Sequence, residues 1–143
     1  MAHPDLDELL NALYGAAREM LAKHGEFFPF GACTDVNGEV ALVGGHTGDE
    51  RPPSQEVIDV ITAGLKDRAG KGEIKAAGIC FDASVIPPGE SRKVDAICAR
   101  LEHSNGESAL VFLPYRKSWF GRTKYGRLFA KQGGHDIFVG GSA

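Results

Sequence analysis

Three groups of side chains have types and spacings that could support chemistry. The first is Gly44-Gly45-His46-Thr47-Gly48-Asp49-Glu50, a loop by composition that leads through Pro52 and Pro53 to Ser54. Glycines admit close backbone approach to a ligand, and Ser54 reads as the N-cap of a helix whose free N–H groups could hold an anion. Asp49 and Glu50 would repel a phosphate there, and neither glycine-rich nucleotide-binding pattern occurs. A plain connecting loop is the simpler account. The second group is Asp35, Asp82, Asp95 and Glu102, acids in or beside β-like runs. Such an acid does general acid–base work only with a second group close by, and the bland reading is a solvated sheet face. His46, Asp49 and Asp82 together are the candidate polar groups of a small-ligand or hydrolytic site.

The third group is a charge asymmetry. Residues 1–114 carry 18 acidic and 10 basic side chains, a net of −8, whereas residues 115–131 carry six basic side chains and no acid. Tyr115, Trp119, Phe120, Tyr125 and Phe129 interleave with those cations. The mixture suits nucleic acid, a partner protein, or docking on the chain's own acidic body. An overall charge of −3 and a pI near 5.9 argue against a general nucleic-acid binder. Aromatics and Arg are enriched in interface cores, so Tyr115, Trp119, Phe120, Arg122 and Tyr125 are the candidate interaction surface. They could instead cover the protein's own core.

Other chemistries lack their signatures. His24, His46, His103 and His135 lie far apart, with no His-x-x-x-His, no Cys-x-x-Cys and no acidic calcium loop, so no metal or other cofactor is expected. Cys33, Cys80 and Cys98 are widely spaced, each within an apolar run, and read as reduced core thiols. Gly31-Ala32-Cys33-Thr34 is the least implausible nucleophile, but no local base or cation activates it. No Gly-x-Ser-x-Gly elbow is present.

The elements that position these residues follow from periodicity. Leu6, Leu9, Leu10, Leu13, Ala16, Ala17, Met20 and Leu21 form a helical stripe over about Asp5 to Lys23, with Gly25 as its cap. Phe27–Asp35 and Glu39–Gly44 read as strands joined by an Asn37-Gly38 hairpin turn, with Pro29 marking a bulge, an irregular start or an edge. Val57, Ile58, Ile61 and Leu65 form the buried stripe of a second helix from Ser54 to about Ala69. Three β-like runs follow, Ile74–Ile86, Val94–His103 and Ser108–Tyr115, as an antiparallel meander. Alternation in the first predicts a sheet with one face against a helix. A short helix is expected around Tyr125–Lys131, with residues 139–143 frayed. The order α-β-β-α-β-β-β-α makes residues 1–143 a single α+β domain with a five-stranded antiparallel sheet, compatible with profilin-like or longin-like sandwiches.

Phe27-Phe28-Pro29-Phe30-Gly31-Ala32, Thr47-Gly48-Asp49-Glu50 with Pro53-Ser54, Lys93-Val94-Asp95-Ala96-Ile97, Phe112-Leu113-Pro114-Tyr115 and Tyr125-Gly126-Arg127-Leu128-Phe129-Ala130 resemble a family of small uncharacterised bacterial proteins. The resemblance spans about residues 20–138 and implies one compact domain; it carries no activity. Small bacterial α+β domains of this general kind include immunity proteins, which mask a toxin's active site. With no apolar run long enough for a membrane span and an acidic N-terminus, the chain is expected in the cytoplasm. The leading expectation is a non-enzymatic domain that binds another protein or itself through the C-terminal segment. A small-ligand or hydrolytic site at the 44–50 loop is the alternative, and nucleic-acid binding through 115–131 the second.

Overall fold

A computed structural model describes residues 3–45, 53–118 and 122–139. Helix α1 spans Pro4–His24, one residue beyond the expected range at each end. Its first N–H groups are met by a side chain the sequence reading overlooked: the imidazole Nδ1 of His3 accepts from the Asp5 N–H at 3.0 Å. Pro4 suits the first turn because its missing donor would be unpaired there. Gly25 ends the helix in the left-handed region (φ 73°), donating to the Leu21 carbonyl at 2.9 Å. Helix α2 spans Ser54–Gly70. Ser54 is its first helical residue rather than its N-cap; Pro53 holds the cap position, without a side-chain hydrogen bond.

Strands β1 (Phe30–Asp35), β2 (Val40–Val43), β3 (Ile74–Val85), β4 (Val94–His103) and β5 (Ser108–Lys117) fall where periodicity places them, and Pro29 sits just before β1, outside the ladder. The β1–β2 and β4–β5 hairpins share one turn. In each, an Asn-Gly-Glu sequence follows a residue whose side chain takes the asparagine N–H: Asp35 Oδ1 from Asn37 at 2.8 Å, and His103 Nδ1 from Asn105 at 3.0 Å. Only the glycines, Gly38 (φ 90°) and Gly106 (φ 97°), take positive φ. These are three-residue loops with one left-handed position, not tight turns in which asparagine is left-handed too.

The antiparallel sheet has the order β2-β1-β3-β4-β5, and β5 pairs on its far edge with two short strands, β6 (Thr123–Tyr125) and β7 (Phe129–Gln132). The sheet therefore has seven strands where five were expected, and the class is α+β. Both faces are covered, not one. Leu9, Leu13 and Ala17 of α1 pack on Ala32, Ala76, Cys80, Ile97 and Ala99, whereas Ile58, Ile61 and Leu65 of α2 pack on Cys33, Ala77 and Ile79 of the opposite face. Alternate residues of β1 and β3 thus feed two separate cores. The helices come close because the sheet is thin where they cross. A Cβ on Gly78 would lie 2.8 Å from Leu13 Cδ1, and one on Gly31 2.8 Å from Ile61 Cγ2. These glycines sit on adjacent strands, Gly78 beside Ala32 and Gly31 beside Ile79.

The expected helix over Tyr125–Lys131 is absent, and β6 and β7 occupy that stretch instead. Thr123, Tyr125 and Phe129 favour strand, and Gly126 interrupts any helix between them. Beyond β7 the chain turns over the second face. The Glu102 carboxylate, 5% exposed as a residue, accepts backbone N–H bonds from Asp136, Ile137 and Phe138 at 3.0–3.1 Å. That clasp delivers Ile137 into the α2 core. Glu102 is therefore not the solvated surface acid expected of it.

Two stability measurements check this architecture. In urea unfolding, Gly78→Val should cost about 1–3 kcal/mol by overpacking against Leu13, whereas Gly64→Ala, on the open face of α2 with nothing within 4 Å of the new Cβ, should gain ~0.5–1 kcal/mol. Glu102→Ala should lose about 2 kcal/mol because it strands backbone donors away from water, and should raise hydrogen exchange at residues 136–138.

Candidate functional site

A concavity of about 540 Å³ lies at the end of the sheet, lined by the β3–β4 loop and the β6–β7 turn. Pro87, Val94, Pro114, Leu128 and Phe129 give it an apolar lining. Leu128 is 45% exposed. The lining is drawn in by Gly126, whose N–H donates to the Pro114 carbonyl at 2.8 Å and whose Cβ, if present, would lie 3.3 Å from Pro114 Cβ. Phe129 is held by stacking on Phe112, centroids 5.0 Å apart.

The polar groups at the rim are mostly cationic. Arg116, Lys124 and Arg127 line the pocket, with Glu90 the one acid. Arg116 and Lys124 are direct register partners across β5 and β6, an arrangement of like charges that costs energy in a sheet. Among the described residues, no carboxylate pairs with any of the three. A cavity of this size with an apolar floor and a few charged groups has the dimensions of a ligand or side-chain pocket.

On the first face, beyond the end of α1, the Tyr115 hydroxyl donates to Asp82 Oδ1 at 2.8 Å. Desolvation raises Asp82 above the usual carboxylate range, the Tyr115 bond lowers it in part, and the neighbouring Asp95 raises it further. Burial pushes the Tyr115 phenol above its ordinary value, and the same hydrogen bond keeps its proton in place. Lys117 Nζ reaches the Gly25 carbonyl at the end of α1, and Arg18 lies over the Tyr125 ring at 5.0 Å. These contacts tie β5 and β6 to α1.

Of the predicted ligand groups, Asp82 is in place, while His46 and Asp49 lie outside the described residues. Asp82 is instead joined to Tyr115, which was assigned to the interaction surface. Within that surface, Tyr115 and Tyr125 are register partners and both line the pocket. Arg122 is exposed at the start of β6 and does not line it; Trp119 and Phe120 lie outside the described residues. The sequence reading missed Pro87 and Leu128. Pro87-Pro88-Gly89 signalled only a turn, and nothing local shows that this turn lines one pocket with residue 128.

A second cluster also escaped notice because its members are about a hundred residues apart. Asp5 Oδ2 lies 2.9 Å from His103 Nε2, 3.3 Å from His3 Nδ1 and 3.5 Å from Lys75 Nζ. The His3 and His103 rings lie with centroids 4.2 Å apart, tilted by 34°, and the backbone N–H of His3 donates to the Glu107 carboxylate. Two imidazoles and a carboxylate have the types of a metal site. The hydrogen bonds point elsewhere. His103 Nδ1 accepts from Asn105, so neutral His103 carries its proton on Nε2 and donates it to Asp5; His3 Nδ1 already caps α1. The cluster is a latch between the start of α1 and the β4–β5 turn.

All three cysteines are free and buried. Burial raises the Cys80 thiol well above its ordinary value and pushes Cys98 up to about 12, so neither is a thiolate at neutral pH. Arg68 Nη1 donates to Cys33 Sγ at 3.2 Å. No described helix is long and apolar enough to cross a membrane.

No protein-family model, curated protein or solved structure matches this chain.

The latch carries a pH signature. The hydrogen bond with His103 holds Asp5 below the usual carboxylate range, against an opposing effect of burial and with help from Lys75 and His3. A carboxylate lowered on folding contributes its full stabilisation above the unfolded value of about 3.9, and loses it as pH falls through the lower folded value. Asp5→Asn should therefore cost about 1 kcal/mol near neutral pH, the partial exposure limiting the effect. In urea unfolding, the difference from wild type should shrink as the pH drops below 4, the unfolded carboxylate range.

Proposed function

We propose that this chain is a non-enzymatic protein-interaction domain whose contact surface is the C-terminal segment on β5, β6 and β7. The observation that carries the reading is the pocket of about 540 Å³ built by that segment, with Arg116, Lys124 and Arg127 at its rim and no described carboxylate paired to them. Exposed Leu128 and half-buried Tyr125 supply the apolar and aromatic contacts that interfaces favour. The partner is a different protein, as for an immunity-like domain, or a second copy of the acidic chain. The setting we favour is the cytoplasm of a bacterial cell, on the resemblance of Phe27–Ala32 and Tyr125–Ala130 to small bacterial proteins and on three thiols left unpaired.

The hydrolytic alternative has less support. Asp82, its one described member, is engaged by Tyr115. The nucleic-acid reading keeps its cations, but two aromatic rings of the pocket lining are already engaged within the chain, Phe129 by stacking on Phe112 and Tyr125 by Arg18.

Peptide display against the folded full chain tests the proposal. Enriched sequences should lose binding to Leu128→Asp and Arg127→Glu variants while keeping it for Lys66→Glu, an exposed change on α2. Light scattering on the same proteins identifies a second copy as the partner if wild type is dimeric and those two variants are monomeric. A monomeric wild type with no enriched sequence, or with binders indifferent to residues 127 and 128, would sink the reading.

A further inference from the structure

Arg116 and Lys124 face each other across β5 and β6, and Arg127 closes the same pocket from the following turn. In the chain alone this arrangement is unfavourable, since two like charges in register repel and no described carboxylate forms an ion pair with either. An anion between them would convert repulsion into charge-assisted hydrogen bonds, and the two guanidinium groups suit planar, bidentate acceptors. The apolar lining asks for something else. The side chains of Pro87, Val94, Pro114, Leu128 and Phe129 in that lining offer no donors for a small inorganic ion, and the cavity has room for a hydrocarbon side chain. Glu90, in the same lining, disfavours a ligand that spreads high negative charge over the whole cavity.

Resting on the protein-binding reading above, we infer that the pocket takes an acidic segment of the partner, which inserts one aliphatic side chain against the apolar lining while flanking carboxylates pair with Arg116, Lys124 and Arg127. The apolar anchor supplies affinity in a desolvated pocket, and the acids set orientation and speed of encounter. The rest of the surface supports this choice. Residues 1–114 carry a net charge of −8, so the body as a whole disfavours an acidic partner while the cations of this rim favour it there.

The test uses the full chain and a short dye-labelled peptide of glutamates and aspartates around a single leucine. Two counterparts accompany it, one with lysines for the acids and one with serine for the leucine, together with a phosphoserine peptide and a single-stranded oligonucleotide. Fluorescence anisotropy should show binding of the acidic leucine peptide that weakens about tenfold or more in Arg116→Ala and in Leu128→Asp. Binding should fall as salt rises and stay unchanged in Lys66→Glu; circular dichroism establishes that each variant is folded. Equal binding of the lysine or serine counterpart overturns the inference, as does tighter binding of the phosphopeptide or oligonucleotide. If no peptide in this set binds while display still yields sequences dependent on residues 127 and 128, the acidic-segment inference fails and the protein-binding reading stands. If neither experiment gives binding, both fall.

Discussion

Ile61 of α2 and Leu13 of α1 press on opposite sides of one pair of strands, and they can do so only because Gly31 and Gly78 carry no side chain there. Around them the strands are lined with small residues, Ala32, Ala76, Ala77 and Ala99, all fully buried. This close approach sets the rest of the molecule. It lets alternate residues of β1 and β3 enter separate cores, so each strand is apolar on both faces over much of its length. It also spends α2 on β1 and β3. The second face of β4 and β5, with Ala96, Cys98 and Phe112, must be covered by something else.

The C-terminal segment contributes Phe129 to that cluster. Phe129 stacks on Phe112, and the chain then crosses β4, where Glu102 gathers three backbone N–H groups and seats Ile137 beside α2. A buried carboxylate is tolerated because every approach to it is a donor. The segment is thus structural over its second half and exposed over its first, where the β6–β7 turn stands off the sheet and leaves the pocket. Cover and contact surface come from the same short stretch of chain.

Charge divides along the same line. Acids of the body are engaged in turns and latches: Asp35 in its hairpin, Asp5 with His103, Asp82 with Tyr115, Glu102 in its clasp. The cations at the pocket rim have no such use within the described residues. Stabilising contacts account for the first set and not the second, which is why the pocket, rather than any acid cluster, carries the functional reading.

The sequence alone determined what local physics can determine. Helical periodicity marked both helices, alternation and Asn-Gly pairs marked five strands and two hairpins, and apolar surroundings marked three buried cysteines, because each signal lies within a few residues. The basic, aromatic character of residues 115–131 was equally plain. Tertiary structure decided the rest. Tyr125 and Phe129–Lys131 are strand because β5 offers an open edge, a partner no local propensity reports. Pro87 and Leu128 line one pocket, and His3 meets His103, only when the sheet order brings distant turns together. Whether a face of β3 is solvated or buried depends on where α2 lands, and that is settled by packing against Gly31 across the chain, not by the alternation of β3 itself.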